Sequence, residues 1–347
     1  MQNKSSILLI YTGGTIGMIN DPISGELKSF DFKHMYDQIP ELNRIPVNIE
    51  SVSINKPIDS SEMTPDHWIN LVEIIEENYN KYDGFVILHG SDTMAYTASV
   101  LSFLIQGIKK PIILTGSQLP IGTIRTDGKE NLITAIEIAA QKDDYNQSVV
   151  QEVCVYFEYS LYRGNRSSKV SANQFQAFLS PNYPPLAVAG VTIEYDKNRL
   201  FRSTEKTTSF SKKLDNRVAL IKLYPGIPFE GYRSLLDVSK FKAVVLETFG
   251  SGNASSDVVF QQSVASYIQS GGIVVNVSQC SSGAVTQGKY ETSSFFQKVG
   301  VVSGTDMTTE AAITKLMYVL SLDLDVHVKH QVLEINLCGE KTPTSLF

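Results

Sequence analysis

Ile7-Leu8-Leu9-Ile10-Tyr11-Thr12-Gly13-Gly14-Thr15-Ile16-Gly17 is the stretch on which the fold turns. Five consecutive apolar residues and, after Thr12, two glycines read as a strand buried on both faces that stops in a tight turn. Strands covered on both faces belong to parallel sheets with helices on either side. In such sheets ligands settle just beyond the carboxyl ends of the strands. The hydroxyl of Thr15 therefore falls where an open α/β sheet does its chemistry, and Gly13 and Gly14 allow the backbone to turn sharply beside a ligand.

Working outward, the same pattern recurs. Apolar runs bounded by Gly, Ser, Thr or Pro lie at 85–88, 112–114, 153–157, 218–223, 244–246 and 273–277. Between them helical periodicity predicts helices over 66–78, 94–106, 131–140, 258–269 and 310–320, the first opened by Thr64 as cap and Pro65 in its first turn. Strand and helix in alternation mean an α/β fold with right-handed crossovers. The stretch around 195–216 is rich in Ser, Thr and Lys and poor in buried-strand signals. The expectation is thus two domains: an N-terminal α/β domain over 1–195 with a mostly parallel sheet and the nucleophile and substrate site, a linker over 196–215 that has room for a hairpin, and a smaller C-terminal α/β domain over 216–347. The segment 18–32, with the turn signals Asn20-Asp21-Pro22 and Ser24-Gly25, is placed to act as a lid over Thr15.

Composition narrows the function. The 347 residues are 42% hydrophobic and 19% charged, enough for a core that needs no disulfide or metal staple. A formal net charge of -6 and the lack of any Lys/Arg run argue against nucleic acid and anionic membrane as partners. Three widely spaced cysteines, Cys154, Cys280 and Cys338, suit a reduced, cytoplasmic protein. The N-terminal apolar run is too short for a signal-peptide core or a membrane span.

Polar clusters collect at the strand ends: 12–17, Asp59-Ser60-Ser61, His89-Gly90-Ser91-Asp92-Thr93 and Thr115-Gly116-Ser117-Gln118, with Arg163-Gly164-Asn165-Arg166-Ser167-Ser168-Lys169 after a fifth run. A threonine hydroxyl is a weak nucleophile and needs a base. Lys169 can act as one if burial or a neighbouring cation lowers its pKa, Asp92 can orient it or hold a substrate ammonium, and N–H groups of the glycine turn can receive an oxyanion. Each piece also has a plain structural role: a turn, a solvated lysine, or, for Ser-Asp-Thr, the cap of the helix that starts near Thr93. Their joint occurrence favours acyl transfer. His89 supports its strand end, with general-base action as the lesser reading.

Other chemistries fit worse. Thr12 stands where a dinucleotide fingerprint needs its first glycine, and no clear helix or well-spaced acidic residue follows. Gly-x-Ser-x-Gly elbows and Gly-Lys-Ser/Thr phosphate loops are missing from the sequence. Of the five histidines only His327 and His330 have helical spacing, and the cysteines form no zinc pattern, so no metal is expected.

Taken together, Thr12-Gly13-Gly14-Thr15-Ile16-Gly17 and His89-Gly90-Ser91-Asp92-Thr93-Met94 resemble the two signatures of the bacterial-type L-asparaginases. The resemblance continues through Leu114-Thr115-Gly116-Ser117-Gln118, Arg163-Gly164-Asn165-Arg166, Thr248-Phe249-Gly250-Ser251-Gly252-Asn253, Gln279-Cys280 and Asp306-Met307-Thr308, and so spans nearly the whole chain. The stretches at 250–253 and Cys280 are similar to the cytoplasmic type I branch. The resemblance implies a large and a small domain joined by a linker, a homodimer or homotetramer, no cofactor, and hydrolysis of the side-chain amide of L-asparagine. It implies Thr15 as the nucleophile that forms the acyl-enzyme and Lys169 with Asp92 as proton handlers. Ser91 would position the attacking water and touch substrate. Asp92 would also hold the α-ammonium and Ser60 the α-carboxylate, with Asp59 and Ser61 beside it. Some type I relatives bind asparagine at a second, regulatory site between subunits, and the positions near Ser168 and Cys280 resemble that region; the plain alternative is that Cys280 is a small buried residue. Two departures from the family pattern stand out. Ser91 replaces the usual Thr, and 18–32 lacks the Tyr that helps activate the nucleophile in many members.

Three other duties compete with asparagine hydrolysis. A glutaminase would share the site. The amidase subunit of a tRNA-dependent amidotransferase usually carries an extra N-terminal domain, whereas the nucleophile motif here starts at residue 12. A non-catalytic amino-acid sensor would have no use for Thr15, Asp92 and Lys169 together.

Overall fold

The computed structural model of the chain describes residues 4–20, 27–29, 39–288 and 291–343. The chain divides into two compact units, Met1–Lys212 and Lys213–Phe347. The first unit is built on strands β1 (Ser6–Gly13), β2 (Asn48–Ile58), β3 (Gly84–Leu88), β4 (Ile112–Thr115), β5 (Val153–Phe157), β6 (Ser160–Arg163), β7 (Ala187–Ala189) and β8 (Ile193–Tyr195). They form one sheet in the order β8-β7-β6-β5-β4-β3-β1-β2. Neighbours from β2 through β5 pair in parallel, with β1 central enough to touch both β2 and β3. The strands from β5 to β8 pair antiparallel.

The apolar runs become the parallel strands because both of their faces are covered. Every residue of β3, β4 and β5 is buried. Helix α1 (Pro65–Asn78) starts at Thr64 as read from the sequence. Helix α2 (Met94–Leu104) is buried at every position except Tyr96, as expected of a helix that is apolar on all sides. Helix α3 (Gly128–Ala140) lays Leu132, Ala135, Ile136 and Ala139 against Ile7, Leu9, Val86 and Ile113. Each such large aliphatic side chain withdrawn from water contributes roughly 1.5–3 kcal/mol.

Alternation of strand and helix ends at β5. A two-residue hairpin turn, Glu158-Tyr159 with φ of 44° and 64°, reverses the chain into β6. Left-handed backbone at both central residues is what such turns need. It is held here by a tertiary bond from the Glu158 N–H to Asn131 Oδ1 at 3.1 Å rather than by glycine. Helix α2 also stops short of the expected 106, because Ile105-Gln106 leaves it to pair with Ser209-Phe210. The rest of 196–212 is likewise fastened to this unit: the Phe201 N–H donates to Glu152 Oε1 at 2.7 Å, and Lys109 Nζ to the Ser203 carbonyl at 2.8 Å.

The second unit is a four-stranded parallel sheet, β9 (Val218–Lys222), β10 (Ala243–Thr248), β11 (Ile273–Ser278) and β12 (Val302–Ser303), in that order. Alternate residues serve opposite faces, so Val244 and Leu246 join one core while Ala243 and Val245 join the other. Helices α4 (Val258–Gln269), α5 (Glu291–Val299), α6 (Thr309–Ser321) and α7 (Val326–Glu334) complete it. Among the described residues no helix is long and apolar enough to cross a membrane.

Candidate active site at the strand ends of the first unit

Glycines bring three strand ends of this unit into backbone contact. A Cβ on Gly14 would lie 2.5 Å from the Gly90 backbone, one on Gly90 2.6 Å from Ser60 Oγ, and one on Gly13 2.1 Å from the Ile58 carbonyl oxygen. Gly13 and Gly14 also have φ of 119° and 85°, which a side chain would strain. The turn after β1 is thus stacked on the turn after β3, and the latter on the short helical turn Ser60–Glu62 after β2.

The two threonines of the first turn divide the work. Thr12 is buried and its hydroxyl donates to the Leu88 carbonyl at 3.0 Å, tying β1 to β3. Thr15 is half-buried, and among the described residues its hydroxyl takes no partner. Ser60 is 4% exposed and likewise leaves its hydroxyl uncommitted, while its carbonyl accepts from Thr93 Oγ1 at 2.7 Å. Asp59 and Ser61 satisfy each other: Asp59 Oδ1 accepts from both Ser61 N and Ser61 Oγ at 2.9 Å, which holds the Asp59 carboxyl below its usual range.

Ser91, Asp92 and Lys169 meet directly. Lys169 Nζ donates to Ser91 Oγ at 2.8 Å and to Asp92 Oδ1 at 2.5 Å, with the lysine side chain 16% and the aspartate side chain 62% exposed. The capping role weighed for Ser91-Asp92-Thr93 is therefore not taken up. Thr93 occupies the N-cap of α2 without a side-chain cap bond, its hydroxyl going to Ser60 and the Asp92 carboxylate to Lys169. Lys169 is delivered by a two-residue ladder, Ser168–Lys169 against Phe178–Leu179. The preceding motif is structural. Arg163 Nε donates to Glu152 Oε2 at 2.7 Å with both side chains nearly inaccessible, and its guanidinium lies 4.4 Å from the centre of the Tyr183 ring.

His89 is excluded from proton transfer with substrate by its surroundings. It is fully buried, its Nδ1 lies 2.6 Å from the Gly90 carbonyl and its Nε2 2.9 Å from Thr97 Oγ1, which itself accepts from Trp68 Nε1 at 2.9 Å. This arrangement fixes the Nδ1–H tautomer, and burial pushes the imidazole pKa down to about 4. The ring braces the turn that carries Ser91 and Asp92, as a strand-end support should. The partners Trp68 and Thr97 were not legible as such, since each sits among the apolar positions of a helix.

Other expected positions lie elsewhere. Ser168 sits beside Lys169 in the first unit, whereas Cys280 belongs to the second. Cys280 is exposed, which corrects the reading of it as a small buried residue; Ser278 Oγ, drawn to the Gly250 carbonyl at 2.6 Å, accepts from the Cys280 N–H and holds it in a surface turn. Of the lid segment only Met18–Asn20 and Leu27–Ser29 are described, paired antiparallel; 21–26 and 30–32 lie outside the described residues. No group of three or more His, Cys, Asp or Glu side chains among the described residues could hold a metal.

An open α/β sheet that brings together a hydroxyl with no partner among the described residues, an ammonium and a carboxylate is the kind of site in which amide hydrolysis can be carried out. The chain belongs to the asparaginase family: the Asparaginase, N-terminal model matches residues 6–201 and the Glutaminase/Asparaginase C-terminal domain model residues 217–333. It is 40% identical over 346 residues to L-asparaginase 1 of Escherichia coli (strain K12), covering 98% of this chain and 99% of that one. The crystal structure of L-asparaginase I from Vibrio cholerae superposes with a TM-score of 0.88 at 38% identity, over 98% of this chain and 99% of that one. The thermostable L-asparaginase from Thermococcus kodakarensis gives the same TM-score at 30% identity, over 97% and 99%. These likenesses set the chain in the type I branch.

Proposed function

We propose that this protein hydrolyses the side-chain amide of L-asparagine to L-aspartate and ammonia through an ester on Thr15. The observation that carries this reading is Lys169 Nζ bridging Ser91 Oγ and Asp92 Oδ1 beside a turn that offers the Thr15 hydroxyl, uncommitted among the described residues. The names of the full-length relatives support asparagine as the substrate.

In this reading the Thr15 oxygen attacks the amide carbon, its proton passes to the Lys169–Asp92 group, and N–H groups of the 12–17 turn receive the oxyanion. The C–N bond breaks and ammonia leaves with a proton returned from that group. A water aligned by Ser91 then adds to the ester, the acyl–oxygen bond breaks, and Thr15 recovers its proton as aspartate departs. Asp92, with its second oxygen open, holds the α-ammonium, and the Ser60 hydroxyl holds the α-carboxylate. Asp59 and Ser61 serve that subsite by shaping its turn. Serine at 91 keeps the hydroxyl the water step needs and gives up the methyl that would limit its rotation.

No step requires a cofactor. A cytoplasmic homodimer or homotetramer belongs to the same reading, as does a regulatory asparagine site involving Ser168 and Cys280. The first assembly claim is checked by light scattering on the purified protein, and the second by the shape of the asparagine saturation curve, where a hyperbola for the oligomer contradicts it. The experiment for the main reading is ammonia release from asparagine and from glutamine at equal concentrations. Asparagine is expected to be the better substrate by kcat/KM; a preference for glutamine, or release from neither, overturns it.

A further inference from the structure

Asp127 stands at the N-cap of α3, where an aspartate ordinarily accepts from the first turn of its own helix. It caps no backbone N–H of that turn, the Gly128 N–H being taken instead by Thr126 Oγ1 at 3.0 Å, and from its own helix it accepts from the Asn131 side chain, Nδ2 to Oδ2 at 3.4 Å. The Asp127 carboxylate, in a residue 7% exposed, faces the turn that follows β4. It accepts from the Gln118 N–H at 3.1 and 2.9 Å, one distance to each oxygen, and from the Leu119 N–H at 3.1 Å. One helical turn on, Asn131 Nδ2 donates to the Gly116 carbonyl at 3.0 Å. The 116–119 turn is therefore clamped at both ends by α3. It is also pressed against the turn that bears Ser91 and Asp92, since a Cβ on Gly116 would lie 2.3 Å from the His89 carbonyl oxygen.

The clamped turn holds something in its turn. Gln118 Nε2 donates to the Gln174 carbonyl at 2.9 Å. Gln174 lies at the tip of the loop that leaves Lys169 and returns to Phe178–Leu179, with Val170 N bonded to the Ala177 carbonyl at 2.8 Å at its base. Ala172, Asn173, Gln174 and Gln176 are exposed. Among the described residues the remaining hydrogen bonds of 171–176 stay within this loop. The Gln118 amide is thus the polar tie between the sheet end and the tip of the segment that carries Lys169, across a groove lined by Gln118, Leu119, Arg125, Asn173 and Phe175.

We propose that Asp127 and Gln118 are positioning residues for Lys169: the buried carboxylate fixes the turn, and the Gln118 amide it fixes holds the Lys169 loop so that the ammonium stays on Ser91 and Asp92. The proposal rests on the assignment of Lys169 as proton handler. Neither residue touches substrate in this scheme, so loosening either slows turnover and leaves asparagine binding alone. A misplacement of a reacting group by about 1 Å costs up to about 100-fold in rate.

The test uses Gln118→Leu, which keeps bulk and removes the donor, Asp127→Asn, and the double variant. Three readouts are taken: kcat, KM for asparagine, and amide hydrogen exchange over 170–177. Gln118→Leu is expected to lower kcat on the order of 10-fold with KM within about 2-fold, and to speed exchange in the loop. Asp127→Asn is expected to lower kcat at least as far, and the double variant to be no slower than Asp127→Asn, because the two act in series. An unchanged kcat in Gln118→Leu, a loss carried by KM, or losses that multiply in the double variant would each overturn the proposal. Gln118 is half-buried, so its variant decides the matter even if Asp127→Asn fails to fold. Should the parent protein release no ammonia, the asparaginase reading falls, while unchanged loop exchange in Gln118→Leu would sink the tie itself.

Discussion

At the ends of β10 and β11 in the second unit, Thr248 Oγ1 donates to Asn276 Oδ1 at 2.6 Å and Asn276 Nδ2 to the Gly252 carbonyl at 3.2 Å. Ser278 Oγ is spent on the Gly250 carbonyl. At the ends of β1 and β2 in the first unit, Thr15 and Ser60 keep their hydroxyls uncommitted among the described residues, and beside them Lys169 and Asp92 form a pair that solvent still reaches. Both units end parallel strands in glycine turns with similar residue types. In one, polar groups are consumed by each other and stabilise the fold. In the other they are held close by glycine packing and left open, which costs stability and suits them to the chemistry proposed above.

That contrast can be broken from either side. The largest effect is expected from Lys169→Met, which removes the ammonium while keeping the stem: kcat for asparagine should fall by about 10³-fold or more, with little change in melting temperature. A drop of less than 10-fold would mean the pair is an ornament of the surface. Next, Ser91→Ala should lower kcat by about 10²-fold, and Ser91→Thr should restore or exceed the parent rate if the missing methyl loosens the hydroxyl.

The supporting shell is tested by acid. The neutral His89 ring is the form the core accepts, with its pKa moved from 6.5 down to about 4. Its folded pKa lies below the unfolded one, so its contribution is complete above pH 6.5 and is lost as pH falls toward 4. The loss is roughly 3 kcal/mol, at about 1.4 kcal/mol per pH unit. Urea melts of the parent and of His89→Gln across this window should differ in slope by that amount; parallel curves would show that the ring is not held neutral. The smallest effect belongs to the saturated cluster. Thr248→Val should cost about 1–3 kcal/mol of stability by stranding Asn276 Oδ1, while kcat per folded molecule stays within about 2-fold.

Much of the architecture could be read from the chain because its main strands are uniformly apolar and its turns carry glycine. The runs at 7–11, 85–88, 112–114 and 153–157 are β1, β3, β4 and β5, and the clusters 12–17, 89–93 and 115–118 stand at the carboxyl ends of the first three, whereas 163–169 starts at the end of the antiparallel β6, which sets Arg163 opposite Cys154 near the start of β5. The antiparallel half of the first sheet was hidden. Its turn uses Glu158 and Tyr159 in a left-handed backbone that only the distant Asn131 explains, and β7 and β8 are three residues each, too short for a period to show. Helix α7 did leave a signal in Asp325, whose carboxylate caps His327 and Val328.

The site divides in the same way. Thr15, Ser91, Asp92 and Lys169 carry functional groups that stand out at strand ends. Asp127 and the Trp68–Thr97–His89 chain act through buried bonds to residues far away in sequence, and no local pattern encodes those. Asp127-Gly128 reads locally as an ordinary helix cap. Its diversion to Gln118 follows only from the packing of α3 beside β4.

The central claim is that Thr15, and not its buried neighbour Thr12, attacks the amide. Ammonia release from asparagine by Thr15→Ala tests it most directly, with Thr12→Ser, which keeps the bond to Leu88, as companion. Thr15→Ala is expected to lose about 10⁴-fold or more in kcat while keeping the parent fold, and Thr12→Ser to stay within about 10-fold. Thr15→Ala turning over asparagine at close to the parent rate would contradict it.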